Sequence, residues 1–285
     1  MKISVGKLAG FCGGVTNSVS KSYKLLEEYG SMYCLGELVH NKQVVDELEK
    51  NGIKFVNNLS EIPEGSKIII RAHGVPVNTY EEAKQRNLEI YDLTCPKVLA
   101  IHDLARELAS QNNFVILVAQ KDHPEAIGTI SFCGENSFII ENVDDIDEFS
   151  KIYKNSKLDK IAIICQTTFS VKKFDEICEV IKSKFDNVSI NNTICLATSK
   201  RQEETNNLSK EVDAMIIIGG VNSSNTKKLY EIAKNNNENT YIVQTVDELK
   251  DKDFSKYNHI GVMAGASTPN KSIEEVVKYF EDVNK

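Results

Sequence analysis

Three times along this chain a short apolar run ends at a cysteine and an amphipathic segment begins: Val5 through Gly10-Phe11 to Cys12, residues 88–94 to Cys95, and residues 188–194 to Cys195. Pro96, directly after Cys95, suits the first position of a helix, where its missing N–H would be unpaired anyway. A second apolar run follows each cysteine, at 32–35, 114–119 and 214–218, and then a polar loop opens another helix. Position 28 past the cysteine falls in that loop in every copy, as His40, His123 and Ser223. A third run closes each copy, with its polar end at His73, Thr167 and Ser267, which lie 61, 72 and 72 residues past the cysteine. The shorter first copy reads as a trimmed surface loop.

Continuous apolar runs alternating with helical periodicity specify parallel α/β sheets covered on both faces. The third copy ends in a helix at 272–283 with no strand left over, so the N-terminal strand at 2–5 is expected to complete it. The expected architecture is an α/β trefoil of three small parallel-sheet units around a central cavity. Its units are 13–95, 96–192, and 193–285 completed by 1–12. Internal repetition raises to three the two domains that a length of 285 residues would suggest.

Charge narrows the partners. Thirty-four Lys and Arg against 41 Asp and Glu give a net charge of −7, contrary to the cationic surplus of non-specific nucleic-acid binding. No apolar run reaches the 18 or so residues of a membrane span. The N-terminus meets Gly6 and Lys7 too early for a signal peptide, so a cytoplasmic protein is expected. Seven cysteines are too few for a disulfide scaffold of this length, which leaves metal binding, catalysis or core filling.

In parallel α/β sheets, ligands bind beyond the carboxyl ends of the strands, where each copy places its cysteine and two polar loops. If the units face inward, three thiols converge, and the positive end of each following helix favours thiolates. Cys34, Cys133, Cys165 and Cys178 lack matched partners; Cys34 and Cys178 read as core, and so does Cys165 although it lies near a strand's end beside the Gln166-Thr167 turn. The matched cysteines could instead be buried and inert, could hold zinc with a fourth ligand, or could hold an iron–sulfur cluster whose remaining iron has no protein ligand. His40, His73, His123, Thr167, Ser223, Asn225 and Ser267, with exposed helix N–H groups, form an expected receptor for a phosphate or diphosphate. No P-loop sequence occurs. Glu125, second in a helix opened by Pro124, either favours the helix dipole or donates a proton, the latter requiring a pKa raised by burial.

These segments resemble one family. Gly10-Phe11-Cys12-Gly13-Gly14-Val15, Val39-His40-Asn41, Ala72-His73-Gly74-Val75, Asp92-Leu93-Thr94-Cys95-Pro96, His123-Pro124-Glu125, Gln166-Thr167-Thr168, Ile194-Cys195-Leu196-Ala197-Thr198 and Asn222-Ser223-Ser224-Asn225 are similar to the signature of 4-hydroxy-3-methylbut-2-enyl diphosphate reductases. These are iron–sulfur enzymes that end the methylerythritol phosphate route to isoprenoids. The resemblance implies one [4Fe–4S] cluster on Cys12, Cys95 and Cys195, and a substrate diphosphate among His40, His73, His123, Ser223, Ser224, Asn225 and Ser267. It also implies Glu125 as proton donor, Thr167 as a holder of the substrate hydroxyl, and a ferredoxin or flavodoxin as electron donor. The implied reaction is a two-electron reductive dehydroxylation to isopentenyl and dimethylallyl diphosphate. The competing expectation is a zinc-containing protein that binds a phosphorylated metabolite without redox activity. A metal-assisted phosphate-ester hydrolase is a further rival, for which acidic ligands other than Glu125 are scarce in the matched loops.

Overall fold

The computed structural model describes residues 1–283. β1 (Lys2–Val5) leads to Cys12 and α1 (Gly13–Tyr29). β2 (Met32–Leu35), α2 (Lys42–Lys50), β3 (Ile53–Val56), β4 (Lys67–Ile70), α3 (Val77–Gln85) and β5 (Glu89–Asp92) follow, the strands forming a sheet in the order β3-β2-β4-β5. After Cys95 come α4 (Pro96–Ser110), β6 (Phe114–Val118), α5 (Pro124–Ile130), β7 (Ser137–Ile140), α6 (Asp145–Asn155), β8 (Ile161–Cys165), α7 (Val171–Lys184) and β9 (Val188–Ile190). Their sheet runs β7-β6-β8-β9. After Cys195 come α8 (Leu196–Glu211), β10 (Ala214–Ile218), α9 (Ser224–Asn236), β11 (Thr240–Val243), β12 (His259–Ala264) and α10 (Asn270–Val283).

The last sheet runs β11-β10-β12-β1, so β1 occupies the edge that β5 and β9 take in the other two. Its register with β12 pairs Lys2 with His259 and Val5 with Val262. All three sheets are parallel throughout. The central strands β6, β8 and β10 are buried at every residue, as continuous apolar strands covered by helices on both faces should be. One face of the second sheet carries an aromatic core of Phe114, Phe149, Phe169 and Phe174, and the other packs Ile101, Ala105 and Leu108 of α4.

The chain condenses into two compact units. One comprises Met1–Thr16, Val39–Leu48 and Leu196–Lys285, and the other Asn17–Leu38 and Glu49–Cys195. The first is built on the sheet that contains β1, and the second on the other two sheets.

The shortness of the first copy has a specific structural origin. Between β7 and β8 the chain makes α6, an eleven-residue helix, whereas between β3 and β4 it makes only the 3-10 turn Leu59–Glu61. The third copy also makes only a 3-10 turn there, Val246–Leu249, but follows it with a longer loop before β12, so the first copy lacks both the helix of the second and the loop of the third. None of the helices is long and apolar enough to cross a membrane, among the described residues.

Candidate active site

Each cysteine stands between a strand and a helix and is anchored by its own backbone. The Cys12 N–H donates to the Ala266 carbonyl at 3.1 Å, the Cys95 N–H to the Ala72 carbonyl at 2.9 Å, and the Cys195 N–H to the Thr167 carbonyl at 3.0 Å. These three bonds make Ala72, Thr167 and Ala266 equivalent. A second set agrees: the Gly74, Phe169 and Thr268 N–H groups donate to the carbonyls of Arg71, Gln166 and Gly265. The structural counterpart of His73 and Ser267 is therefore Thr168. Thr167 lies one position earlier, a correction to the spacing-based equivalence.

Cys12, Cys95 and Cys195 are half-buried and outside any disulfide, and the other four cysteines are buried. Burial pushes the Cys133 thiol up to about 12 and Cys178 up to about 11, and it lifts Cys34 and Cys165 further still. Cys34, Cys165 and Cys178 belong to strands or helices and face protein interior, as expected of core. Cys12, Cys95 and Cys195 thus stand at equivalent helix starts, and the remaining cysteines are withdrawn into the core.

The polar loops follow β2, β6 and β10, and again β4, β8 and β12. Within each sheet successive connections leave the first strand toward opposite sides, so these loops flank the switch point at which α/β sheets bind ligands. In the second unit, the Glu125 N–H donates to Nδ1 of His123 at 3.1 Å. With Nδ1 accepting, a neutral His123 carries its proton on Nε2, which makes that edge a donor. The His73 and His123 rings meet edge to face at 5.5 Å between centroids.

Glu125 itself is 2% exposed, and both of its carboxylate oxygens are engaged by one residue. The Thr167 N–H donates to Oε1 at 2.6 Å and the Thr167 hydroxyl to Oε2 at 2.7 Å. Burial raises its pKa to about 7, against the opposing pull of the two Thr167 bonds. The helix dipole would have favoured the anion, but desolvation prevails. Gln166, which sequence reasoning passed over, braces the same loop: its Oε1 accepts from the Gln120 N–H at 3.0 Å and its amide donates to Thr168 Oγ1 at 3.1 Å.

In the first unit, Ser223 caps α9 by accepting from the Thr226 N–H at 3.3 Å. Ser224 and Asn225 are 3% and 2% exposed, yet the Ser224 hydroxyl and both amide atoms of Asn225 have no hydrogen-bond partner. Buried polar atoms left unpaired are costly and call for a ligand. Ser267 donates to the His40 carbonyl at 3.1 Å. That carbonyl approaches Gly220 so closely that a Cβ there would lie 2.6 Å from it, which explains the glycine. His40 stands two residues before α2 and does not cap it; Asn41 accepts from the Val44 N–H at 3.2 Å and fills that role. The counterpart positions His123 and Ser223 do cap their helices.

Comparison with known proteins identifies the chain's relatives. Residues 3–281 match the family model described as LytB protein. A curated protein of Clostridioides difficile named 4-hydroxy-3-methylbut-2-enyl diphosphate reductase is 39% identical over 284 residues, covering 99% of this chain and 100% of that one. The Aquifex aeolicus protein of the same name is also 39% identical, covering 99% and 96%. Among solved structures, the E-1-hydroxy-2-methyl-but-2-enyl-4-diphosphate reductase of Plasmodium falciparum superposes with a TM-score of 0.91 at 30% identity, over 98% of this chain and 87% of that one. A second, (E)-4-hydroxy-3-methyl-but-2-enyl diphosphate reductase, described as the terminal enzyme of the non-mevalonate pathway, gives 0.71 at 38% identity, over 99% and 100%. The fold, the motifs and the full-length matches agree: this chain belongs to the LytB family.

Proposed function

We propose that the chain is an oxidoreductase of isoprenoid biosynthesis that converts (E)-4-hydroxy-3-methylbut-2-enyl diphosphate to isopentenyl and dimethylallyl diphosphate. The observation that carries this reading is the full-length similarity to proteins of that name, 39% identical across essentially both chains. The reaction consumes two electrons and two protons, and it replaces an allylic hydroxyl by hydrogen with release of water. Cys12, Cys95 and Cys195 would hold a [4Fe–4S] cluster. When bound, such a cluster supplies electrons one at a time and an iron with Lewis acidity.

The protein's own residues do the rest. His40, His73, His123, Ser223, Ser224, Asn225 and Ser267 bind the diphosphate. The unpaired Ser224 hydroxyl and Asn225 amide, and the Nε2 edge of His123, are donors suited to anionic oxygens. Glu125, with its pKa near neutrality, keeps a proton available for the departing hydroxyl, which is a poor leaving group without one. The Thr167 hydroxyl orients that carboxyl and reaches the substrate hydroxyl. Electrons come from a reduced ferredoxin or flavodoxin, and the cytoplasm keeps the ligand thiols reduced. The division into three units at 13–95, 96–192, and 193–285 with 1–12 accompanies this reading, each boundary falling at or beside a cysteine loop.

The deciding experiment is the content of iron and inorganic sulfide per chain purified without oxygen, beside a Cys195→Ser variant, followed by the reductase assay. Equal iron and sulfide, lost in the variant, together with product formation, is the expected result. Zinc without sulfide would overturn it in favour of a zinc-containing phosphometabolite-binding protein.

A further inference from the structure

Two buried side chains occupy the same place in their repeats and perform the same task. Ser18 is six residues past Cys12 on α1, is fully buried, and donates from its hydroxyl to the Leu93 carbonyl at 2.8 Å. Leu93 is two residues before Cys95. Arg201 is six residues past Cys195 on α8 and 3% exposed. Its Nη2 donates to the Gly10 carbonyl at 2.9 Å, and Gly10 is two residues before Cys12. The same guanidinium donates from Nε to the Leu8 carbonyl at 2.8 Å and from Nη1 to the Ala197 carbonyl at 3.3 Å. One turn further along α8, Glu204 accepts from the Lys7 and Leu8 N–H groups at 2.6 and 2.9 Å. The approach to Cys12 is thus held from both its carbonyl and its amide side.

The second copy departs from the pattern. Six residues past Cys95 stands Ile101, 4% exposed in an apolar cluster and without a polar group to offer. Thr193, two residues before Cys195, is instead held by β8, where the Cys165 N–H donates to its hydroxyl oxygen at 2.7 Å.

We propose that Arg201 and Ser18 are positioning residues: the helix that follows one cysteine clamps the loop that presents another, fixing the Cys12 and Cys95 thiols before any metal group arrives. Burying a guanidinium is expensive unless its donors are satisfied, and here three of its bonds go to backbone carbonyls, two of them in the approach to Cys12. Arg201 also keeps a positive charge beside a loop whose thiol is to be used as an anion. The supporting role toward a cluster rests on the function proposed above; the clamping of the two loops does not.

Hydrogen exchange on the full-length chain purified without oxygen tests the clamps, read at residues 7–12 and 89–95, with iron release to a chelator as the second measurement. Arg201→Met is expected to speed exchange in 7–12 about tenfold or more and leave 89–95 unchanged, since bonds from a charged donor are the stronger kind. Ser18→Ala is expected to speed exchange in 89–95 about fivefold and leave 7–12 unchanged. Arg201→Lys, which keeps the charge but not the fork, should fall between Arg201→Met and the parent. Both Arg201→Met and Ser18→Ala should release iron faster. Acceleration of both segments alike in each variant, or of neither, would overturn the proposal, and if Arg201→Met does not accumulate, Ser18→Ala and Arg201→Lys decide it. A parent chain without iron and sulfide removes the cluster reading, while the exchange result still decides the clamps.

Discussion

Glu125 shows how burial can outweigh the pull of a single neighbour on one carboxyl. Thr167 engages both oxygens, yet desolvation still holds the pKa at about 7, so roughly half of the molecules carry the proton at neutral pH. Activity that needs the protonated form falls as pH rises through 7, and the alkaline limb of the kcat/KM profile is the measurement. Replacing Thr167 by Val removes a bond that favours the anion, so the limb moves to higher pH. The shift is limited, because the backbone N–H bond stays. Glu125→Gln should lose about 10²- to 10⁴-fold in kcat, the range typical of general acids. The place of Glu125 in the first turn of a helix, two residues from His123, was legible in sequence. Its environment was not, because spacing counts residues and cannot see which hydrogen bonds close over them. The same blindness explains the one-residue error at Thr167 and the oversight of Asn41 and Gln166.

At the scale of elements, the turn after β4 depends on a glycine that the sequence shows only as part of a motif. Gly74 has φ +75, and a Cβ there would sit 2.8 Å from the His102 ring. That ring cannot retreat freely, since it stacks on Phe132 with centroids 4.2 Å apart. Gly74→Ala should therefore destabilise the fold by about 1–3 kcal/mol, seen as a lower urea midpoint at an unchanged m-value. Strands and helices themselves were largely readable, because buried parallel strands such as Phe114–Val118 and Ile161–Cys165 are unbroken apolar runs. What varied between copies was harder. Whether a connection forms α6 or only a 3-10 turn changes no strand pattern, and the total spacing does not record it either, since the second copy has the helix and the third has a 3-10 turn at the same offset of 72.

For the molecule as a whole, two buried groups pull acid stability in opposite directions. Burial lowers the His102 pKa to about 4, so between about 6.5 and 4 the unfolded chain binds a proton that the folded chain refuses, and stability falls as pH falls. Glu125 does the reverse, holding its proton up to about 7 when folded and releasing it near 4.5 when unfolded, so its contribution rises as pH falls across that window. The difference in unfolding free energy between the parent and Glu125→Gln should change by about 1.4 kcal/mol per pH unit between about 5 and 6.5, in favour of the parent toward acid. A flat difference would mean that the carboxyl is not held neutral by the fold.

The edge position of β1 has a consequence for how the chain is made. β1 pairs with a strand made much later, with Lys2 opposite His259, and the Cys12 N–H must wait for Ala266. Ala72 and Thr167, whose carbonyls anchor the Cys95 and Cys195 N–H groups, both precede their cysteines in the chain. Until β12 and Ala266 are made, the Cys12 loop lacks both its neighbouring strand and the carbonyl that its N–H binds. Of the three matched cysteines, Cys12 is therefore the last whose backbone finds its anchor, and its thiol is the one that spends longest outside a folded loop.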